Sequence, residues 1–372
     1  MNSLKKFWRR ITDGMALSQL WSQFHADALF SYRLYTQEID SRRMPGVGRV
    51  RHAFRMIKLF LWAIFDKLTP ARRVILLIAL ILLISKTQLV VIGEDRTTTA
   101  SWQGGAFWGG ILLFILLTLE IADRVVMKRD LQIAKEIQAW LLPPEPPSVP
   151  GLEIAFATRP ANTVAGDFYD VFPRPSTYSP EGTYLIVIAD VAGKSIPAAM
   201  LMATYQASLK TLAGISSSLI DLVGRMNNYA CGNSQNGRRF TTTFISEYNP
   251  ATRGLSYVNA GHNSPILHRQ SGTIERLPAS GIPLGILENA PYESGSVTLQ
   301  PGDWLVIFTD GVTEAINSHQ QEYEEWRLMS LLNSNRNASP QLLLNTILND
   351  INHFVGNTPQ HDDITLILLK TV

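Results

Sequence analysis

Cysteine is nearly missing from this chain. Cys231 is the single one among 372 residues, so an internal disulfide is excluded and a reducing compartment suits the soluble part. It also fails as the nucleophile of a cysteine phosphatase, which needs an arginine six positions on. Gly237 stands there, and Arg238 misses by one. His262 has no second histidine at ligand spacing, which removes a zinc site. No G-x-S-x-G elbow supplies a serine nucleophile. Gly193-Lys194-Ser195 ends like a phosphate-gripping P-loop, yet Ile188 occupies the position where such a loop needs glycine. Internal repeats are missing too, as are aromatic-interleaved basic patches in the soluble half, so nucleic acid is not an expected partner there.

What is present divides the chain. Residues 1–73 carry fourteen Lys/Arg against five Asp/Glu, a net +9, while the whole chain is only +2, so the remainder is acidic. A basic arm of this kind suits an anionic surface, membrane or nucleic acid. The next segments favour membrane. "VILLIALILLISKTQLVVI" (Val74–Ile92) has one charge, Lys86, and "AFWGGILLFILLTLEIA" (Ala106–Ala122) has none before Glu120. Both approach the ~20 residues of a bilayer helix. Basic residues flank the pair, and the connector "GEDRTTTASWQGG" has no cationic excess. The positive-inside rule then predicts a multi-pass cytoplasmic-membrane protein with both termini and the soluble domain in the cytoplasm. The alternative is two buried helices of a soluble protein. "LFLWAIF" (Leu59–Phe65) is too short to span and suits the membrane interface.

A helix is predicted onward from Arg124, with Leu131, Ala134, Ile137 and Leu141 on one face, ending near Leu142 where Pro143 and Pro144 cannot continue it. It reads either as a mechanical joint, one that could work through a homodimer, or as an amphipathic cover for the domain edge. From Leu152 short β-rich runs alternate with helical segments, and "NPATRG" (Asn249–Gly254) predicts a hairpin. This pattern favours α+β layers over a doubly wound parallel sheet. The expected organisation is a basic region 1–73, two spans within 74–123, a linker 124–150 and a soluble domain 151–372.

Acids stand at abrupt junctions in that domain. Asp167 and Asp170 lie in "AGDFYD", Asp190 ends "YLIVIAD", Asp310 ends "WLVIFTD", and Asp362 and Asp363 open "DDITLILLK". Ionised carboxylates beside apolar runs are costly unless paired or coordinating a cation. Oxygen ligands suit a hard cation such as Mg²⁺ or Mn²⁺. Any one aspartate beside a glycine is equally a turn residue; the recurrence of such junctions is what points to a cation site.

Taken together, "AGDFYDVF", "IADVAGKSIPAAM", "FTTTFI", "YVNAGHNSPILH", "GIPLGI", "VIFTDGVTEA" and "HDDITLILL" resemble the ordered motif set of the metal-dependent (PPM-type) serine/threonine phosphatases, in their bacterial SpoIIE-like and RsbU-like branch. The likeness runs from about Leu131 to Val372. It implies an αββα sandwich of two stacked antiparallel sheets flanked by helices, with two divalent cations, Mn²⁺ or Mg²⁺, at one edge. By resemblance, Asp190 bridges both metals and Val191 offers its carbonyl. Asp310 and Asp363 complete the second metal's ligands, and Asp167 precedes them. Asp170 and Asp362 would act through water or behind the ligands, with Gly166, Gly193 and Gly311 leaving room for the backbone. Lys194, Arg159 and His262 could contact phosphate or remain ordinary surface and turn residues. Ser195 departs from the pattern, standing where relatives commonly carry glycine.

Two cations sharing a carboxylate would activate a water for in-line attack on phosphorus, through the metal-held Asp190 and Asp310. The branch implies a phosphorylated anti-sigma-factor antagonist (a STAS-type protein) as substrate. Two other readings remain: a non-catalytic signalling scaffold on the same fold, and a hydrolase of a small phosphoester.

Overall fold

The computed structural model describes residue 65 and residues 68–372, except 86, 94–95, 103, 175–181 and 235–238. The basic N-terminal region through residue 64, and with it most of the expected interfacial segment, lies outside the described residues. Two compact units divide the chain, one ending at Val126 and the other spanning Met127–Val372.

In the first unit, α1 (Pro70–Ile84) starts with proline at the first helical turn, where its missing N–H costs nothing. The expected single span Val74–Ile92 is not one helix. It stops at Ile84, and β1 (Thr87–Gly93) pairs antiparallel with β2 (Arg96–Trp102), which takes up the expected connector. After Lys86 the run turns rich in β-branched residues, which fit a pleated strand better than a helix. At 15 residues, α1 rises only ~22 Å, short of the ~30 Å of a bilayer core. The second run and the linker form one helix, α2 (Gly104–Leu141), of 38 residues. Among the described residues it alone is long and apolar enough to cross a membrane, an 18-residue stretch of it having a mean hydropathy of 2.0. The two helices approach backbone to backbone. A Cβ on Gly105 would sit 2.7 Å from the Leu82 carbonyl oxygen, and one on Gly109 2.8 Å from that of Ala79. Arg72 pairs with Glu120 at 3.2 Å and Asp123 at 2.7 Å, so the helices run antiparallel.

The second unit is a four-layer sandwich. Its elements are β3 (Leu152–Arg159), β4 (Phe168–Arg174), β5 (Thr183–Val191), α3 (Ser195–Ala213), α4 (Leu219–Gly232), β6 (Thr241–Asn249), β7 (Gly254–Ala260), β8 (Ile266–His268), β9 (Ile274–Arg276), β10 (Gly295–Thr298), β11 (Trp304–Phe308), α5 (Asp310–Thr313), α6 (Glu325–Ser334), α7 (Pro340–Val355) and β12 (Ile364–Thr371). One antiparallel sheet has the order β10-β7-β6-β5-β4 and the other β3-β12-β11-β8-β9. The predicted hairpin joins β6 to β7, with Asn249 opposite Gly254 and the Asn249 side chain accepting the Ala251 and Thr252 amides.

Three apolar cores explain why the strands read as unbroken hydrophobic runs. Along β5, Leu185, Val187 and Ala189 pack toward α3 and α4, while Ile186 and Ile188 face the other sheet. Along β11, Trp304, Val306 and Phe308 face α6 and α7, and Leu305 and Ile307 point inward. Each face is covered, so alternation with polar residues vanishes. Every fully buried Leu, Ile or Val stabilises the sandwich by about 1.5–3 kcal/mol over its exposed state. The expected αββα layering is what these cores build.

Candidate active site

Antiparallel pairing delivers the acids to one end of the sandwich. β4 begins one residue after Asp167, and its neighbour β5 ends with Asp190-Val191. In the other sheet β11 ends two residues before Asp310, and its neighbour β12 begins one residue after Asp363. Each sheet therefore contributes two acids from adjoining strand ends. The sheets are tied together there by hydrogen bonds. Thr309 and Thr365, from the second sheet, donate their hydroxyls to Asp167 Oδ2 of the first at 2.9 and 2.5 Å. Asp363 accepts the Ala161 amide at 2.7 Å and the Gly166 amide at 2.6 Å.

The electrostatics follow from this crowding. Burial, then repulsion from Asp310, Asp362 and Asp363, pushes the Asp190 carboxyl up to about 7, with Lys194 opposing. Burial and the neighbouring Asp190 hold Asp167 well above the usual carboxylate range. Asp310 is raised by burial and by Asp362, and Asp363 chiefly by burial. Glu314, which sequence reasoning did not single out, joins the same field and is raised by burial and by Asp310.

The glycines serve distinct ends. A Cβ on Gly311 would fall inside the Asp363 carbonyl, so only glycine lets α5 start against β12. Gly166 lies against the Val191 carbonyl, with a Cβ reaching 3.1 Å from that oxygen. Ser195 adopts a left-handed φ of 64° where a glycine would be unstrained.

Of the other expected site residues one sits elsewhere, and the rest lie near the acids with partners of their own. Asp170 is buried on β4 but pairs with Lys210 of α3 at 2.6 Å, on the helix-covered side of the sheet. Strand alternation put it there, away from the other acids. His262 is buried, its Nδ1 3.0 Å from the Thr242 hydroxyl, and burial pulls its pKa down to about 4. Thr242 is the register partner of Asp190. Lys194 bonds the His361 carbonyl at 2.5 Å and Asp362 at 3.1 Å, and Arg159 donates to Asn352 at 2.5 Å. Both line an open cleft of about 530 Å³ that also reaches Gly311, Glu314 and Asp362. On α2, Ile137 is exposed and the neighbouring Gln138 is the buried residue, which corrects the expected packing face.

A divalent cation fits the donor set by chemistry: carboxylate and carbonyl oxygens only, in excess negative charge, from Asp190, Asp310, Asp363 and the Val191 carbonyl. Among the described residues no three acid, histidine or cysteine side chains stand together closely enough to hold a metal ion by themselves. Sequence reasoning missed Thr309 and Thr365, although "FTDG" and "DDIT" place each hydroxyl within two residues of an acid.

This fold, with acids gathered at one edge, is that of the PPM-type (PP2C) phosphatase class. The SiaA-PP2C domain of Pseudomonas aeruginosa matches with a TM-score of 0.58 and 18% identity, covering 68% of this chain and 99% of that domain. Within that class the chain belongs to the Stage II sporulation protein E (SpoIIE) family, whose model matches residues 180–372. Protein IcfG of Synechocystis sp. is 29% identical over 279 residues, 68% of this chain and 43% of its own length. Phosphoserine phosphatase RsbU of Bacillus subtilis is 29% identical over 245 residues, 66% of this chain and 70% of its own. The chain thus spans less than half of the first of these relatives.

Proposed function

We propose that this chain is a membrane-anchored, Mn²⁺- or Mg²⁺-dependent phosphatase that removes phosphate from serine or threonine of a small signalling protein of the anti-sigma-factor antagonist type. The observation that carries the reading is the joining of the two sheets' acids by Thr309 and Thr365 on Asp167. Likeness to a protein named phosphoserine phosphatase RsbU supports the reaction class.

Asp190, Asp310 and Asp363, with the Val191 carbonyl, would hold the cations, which when bound supply charge neutralisation and an acidified water. The chain's own residues do the positioning. Thr309 and Thr365 fix Asp167, while the Ala161 and Gly166 amides aim Asp363. Lys194 and Arg159 present cationic side chains to the cleft, where a phosphoryl group is drawn in and oriented. Water adds to phosphorus as the P–O(Ser) bond breaks opposite it, and the serine oxygen leaves with a proton. His262, buried and neutral, orders Thr242 beside Asp190 rather than delivering that proton.

Anchoring rests on α2, on the glycine contact of α1 with α2, and on their exposed apolar faces, including Ile81, Ile84, Phe107, Phe114 and Leu117. The cytoplasmic side is the one the flanking basic residues favour. Exposed Ile133, Ile137 and Trp140 on α2 offer a stripe for a second copy.

The deciding experiment incubates the full-length chain with a phosphoserine-bearing STAS-type protein, with and without Mn²⁺. Metal-dependent phosphate release, lost in Asp190→Ala and Asp310→Ala while circular dichroism is unchanged, is expected. Metal-independent turnover, or none, removes the reading. Release from small phosphoesters alone would reassign the substrate.

A further inference from the structure

Gln138 is the one buried polar residue of α2 among the described residues. Its carboxamide spans both backbone groups of one residue on a distant loop. Nε2 donates to the Ala165 carbonyl at 2.7 Å, and the Ala165 amide donates to Oε1 at 2.9 Å. The pair has the form of a strand-like bridge made by a side chain. A carboxamide offers a donor and an acceptor side by side in one plane whatever the pH.

The loop held this way leads directly into the acids. Gly166, the next residue, gives its amide to Asp363 and lies against the Val191 carbonyl and Ala198. Asp167 follows, fixed by two hydroxyls from the other sheet. Consecutive Cα atoms are ~3.8 Å apart, so a shift at Ala165 has no length of chain in which to dissipate before reaching Asp167. On the helix side, Leu131, Ala134 and Leu141 flank Gln138 half-buried, whereas Ile133, Ile137 and Trp140 are exposed. A turn of the helix about its axis by one residue, ~100°, carries Gln138 off the loop and breaks both bonds.

We propose that Gln138 is a positioning residue, through which α2 holds the 165–167 loop in the arrangement that takes up divalent cations. The consequence for metal rests on the phosphatase reading above; the loop-holding itself does not.

The test uses the full-length protein, wild type against Gln138→Met, which keeps the shape and removes both bonds, with exposed Gln132→Ala as the control. In metal-free protein, hydrogen exchange of the peptide covering 161–168 is expected to rise about ten-fold or more in Gln138→Met, the scale set by losing two buried hydrogen bonds. Calorimetric Mn²⁺ affinity is expected to fall by a similar factor, with turnover largely recovered at saturating Mn²⁺. Gln132→Ala is expected to match wild type in both. Unchanged exchange of 161–168 in a folded Gln138→Met overturns the proposal, as does unchanged Mn²⁺ affinity in a wild type that binds the ion. Should Gln138→Met not fold, Gln138→Asn, one methylene short of Ala165, is read by the same criteria. A wild type that takes up no Mn²⁺ overturns the phosphatase reading, and the exchange comparison still decides this one.

Discussion

Replacing Asp190 by asparagine should stabilise the metal-free protein while abolishing its activity. The Asp190 carboxyl is raised from 3.8 to about 7 by burial and by Asp310, Asp362 and Asp363. A pKa raised on folding means that the folded state holds the proton more tightly. Stability is therefore fully present below about pH 4 and lost as pH rises through about 7. About three pKa units at 1.36 kcal/mol each set a ceiling of ~4 kcal/mol at pH 8. Because the repulsion is shared with the neighbouring acids, about 2–4 kcal/mol is the expected gain. In a domain of this size that raises Tm by roughly 4–16 °C. The assay is thermal melting in EDTA at pH 8 and pH 5, with Asp190→Asn above wild type at pH 8. The gap should shrink to less than half at pH 5, where folded Asp190 carries its proton. Adding Mn²⁺ should then raise the wild-type Tm by mass action and leave Asp190→Asn nearly unmoved. A variant no more stable than wild type at pH 8, or a gap independent of pH, would refute the convergence of these acids.

Three further outcomes are expected. Gly311→Ala should cost most of the activity and several kcal/mol of stability, since its Cβ collides with the Asp363 carbonyl; urea unfolding and turnover check both. Arg174→Ala should destabilise by about 3–5 kcal/mol in urea melts, because buried Arg174 holds Glu247 at 2.6 Å and the Ser216 carbonyl at 2.8 Å. Ser195→Gly should keep activity and relieve a left-handed φ of 64°, leaving stability unchanged or higher by up to ~1 kcal/mol. Lost turnover in that folded variant would mean that the serine itself is used.

Much of the second unit was legible in its order of residues. Unbroken apolar runs such as "YLIVIADV" and "WLVIF" are local signals of strands covered on both faces, and they became β5 and β11. Proline stopped α2 at Leu141, and "NPATRG" made its hairpin. Asp190, Asp310 and Asp363 were conspicuous because a charge that ends an apolar strand needs a reason. The first hydrophobic run misled, since mean hydropathy does not register the β-branched content that ended α1 at Ile84.

Other decisions belonged to the tertiary structure. Whether Asp170 joined the acids depended on which face of β4 met α3, and Lys210 claimed it. Thr309 and Thr365 matter only because two sheets stack with their strand ends aligned, more than a hundred residues apart in the chain from Asp167. Gln138 reads as one more polar residue on a helix until the loop at Ala165 closes over it. Within the second unit, sequence by itself determined most of the strands and helices and where charge would be stranded at their ends, because backbone preference and solvation act locally. Only packing decided which of those stranded groups face one another, because that depends on the stacking of sheets whose strands are far apart along the chain.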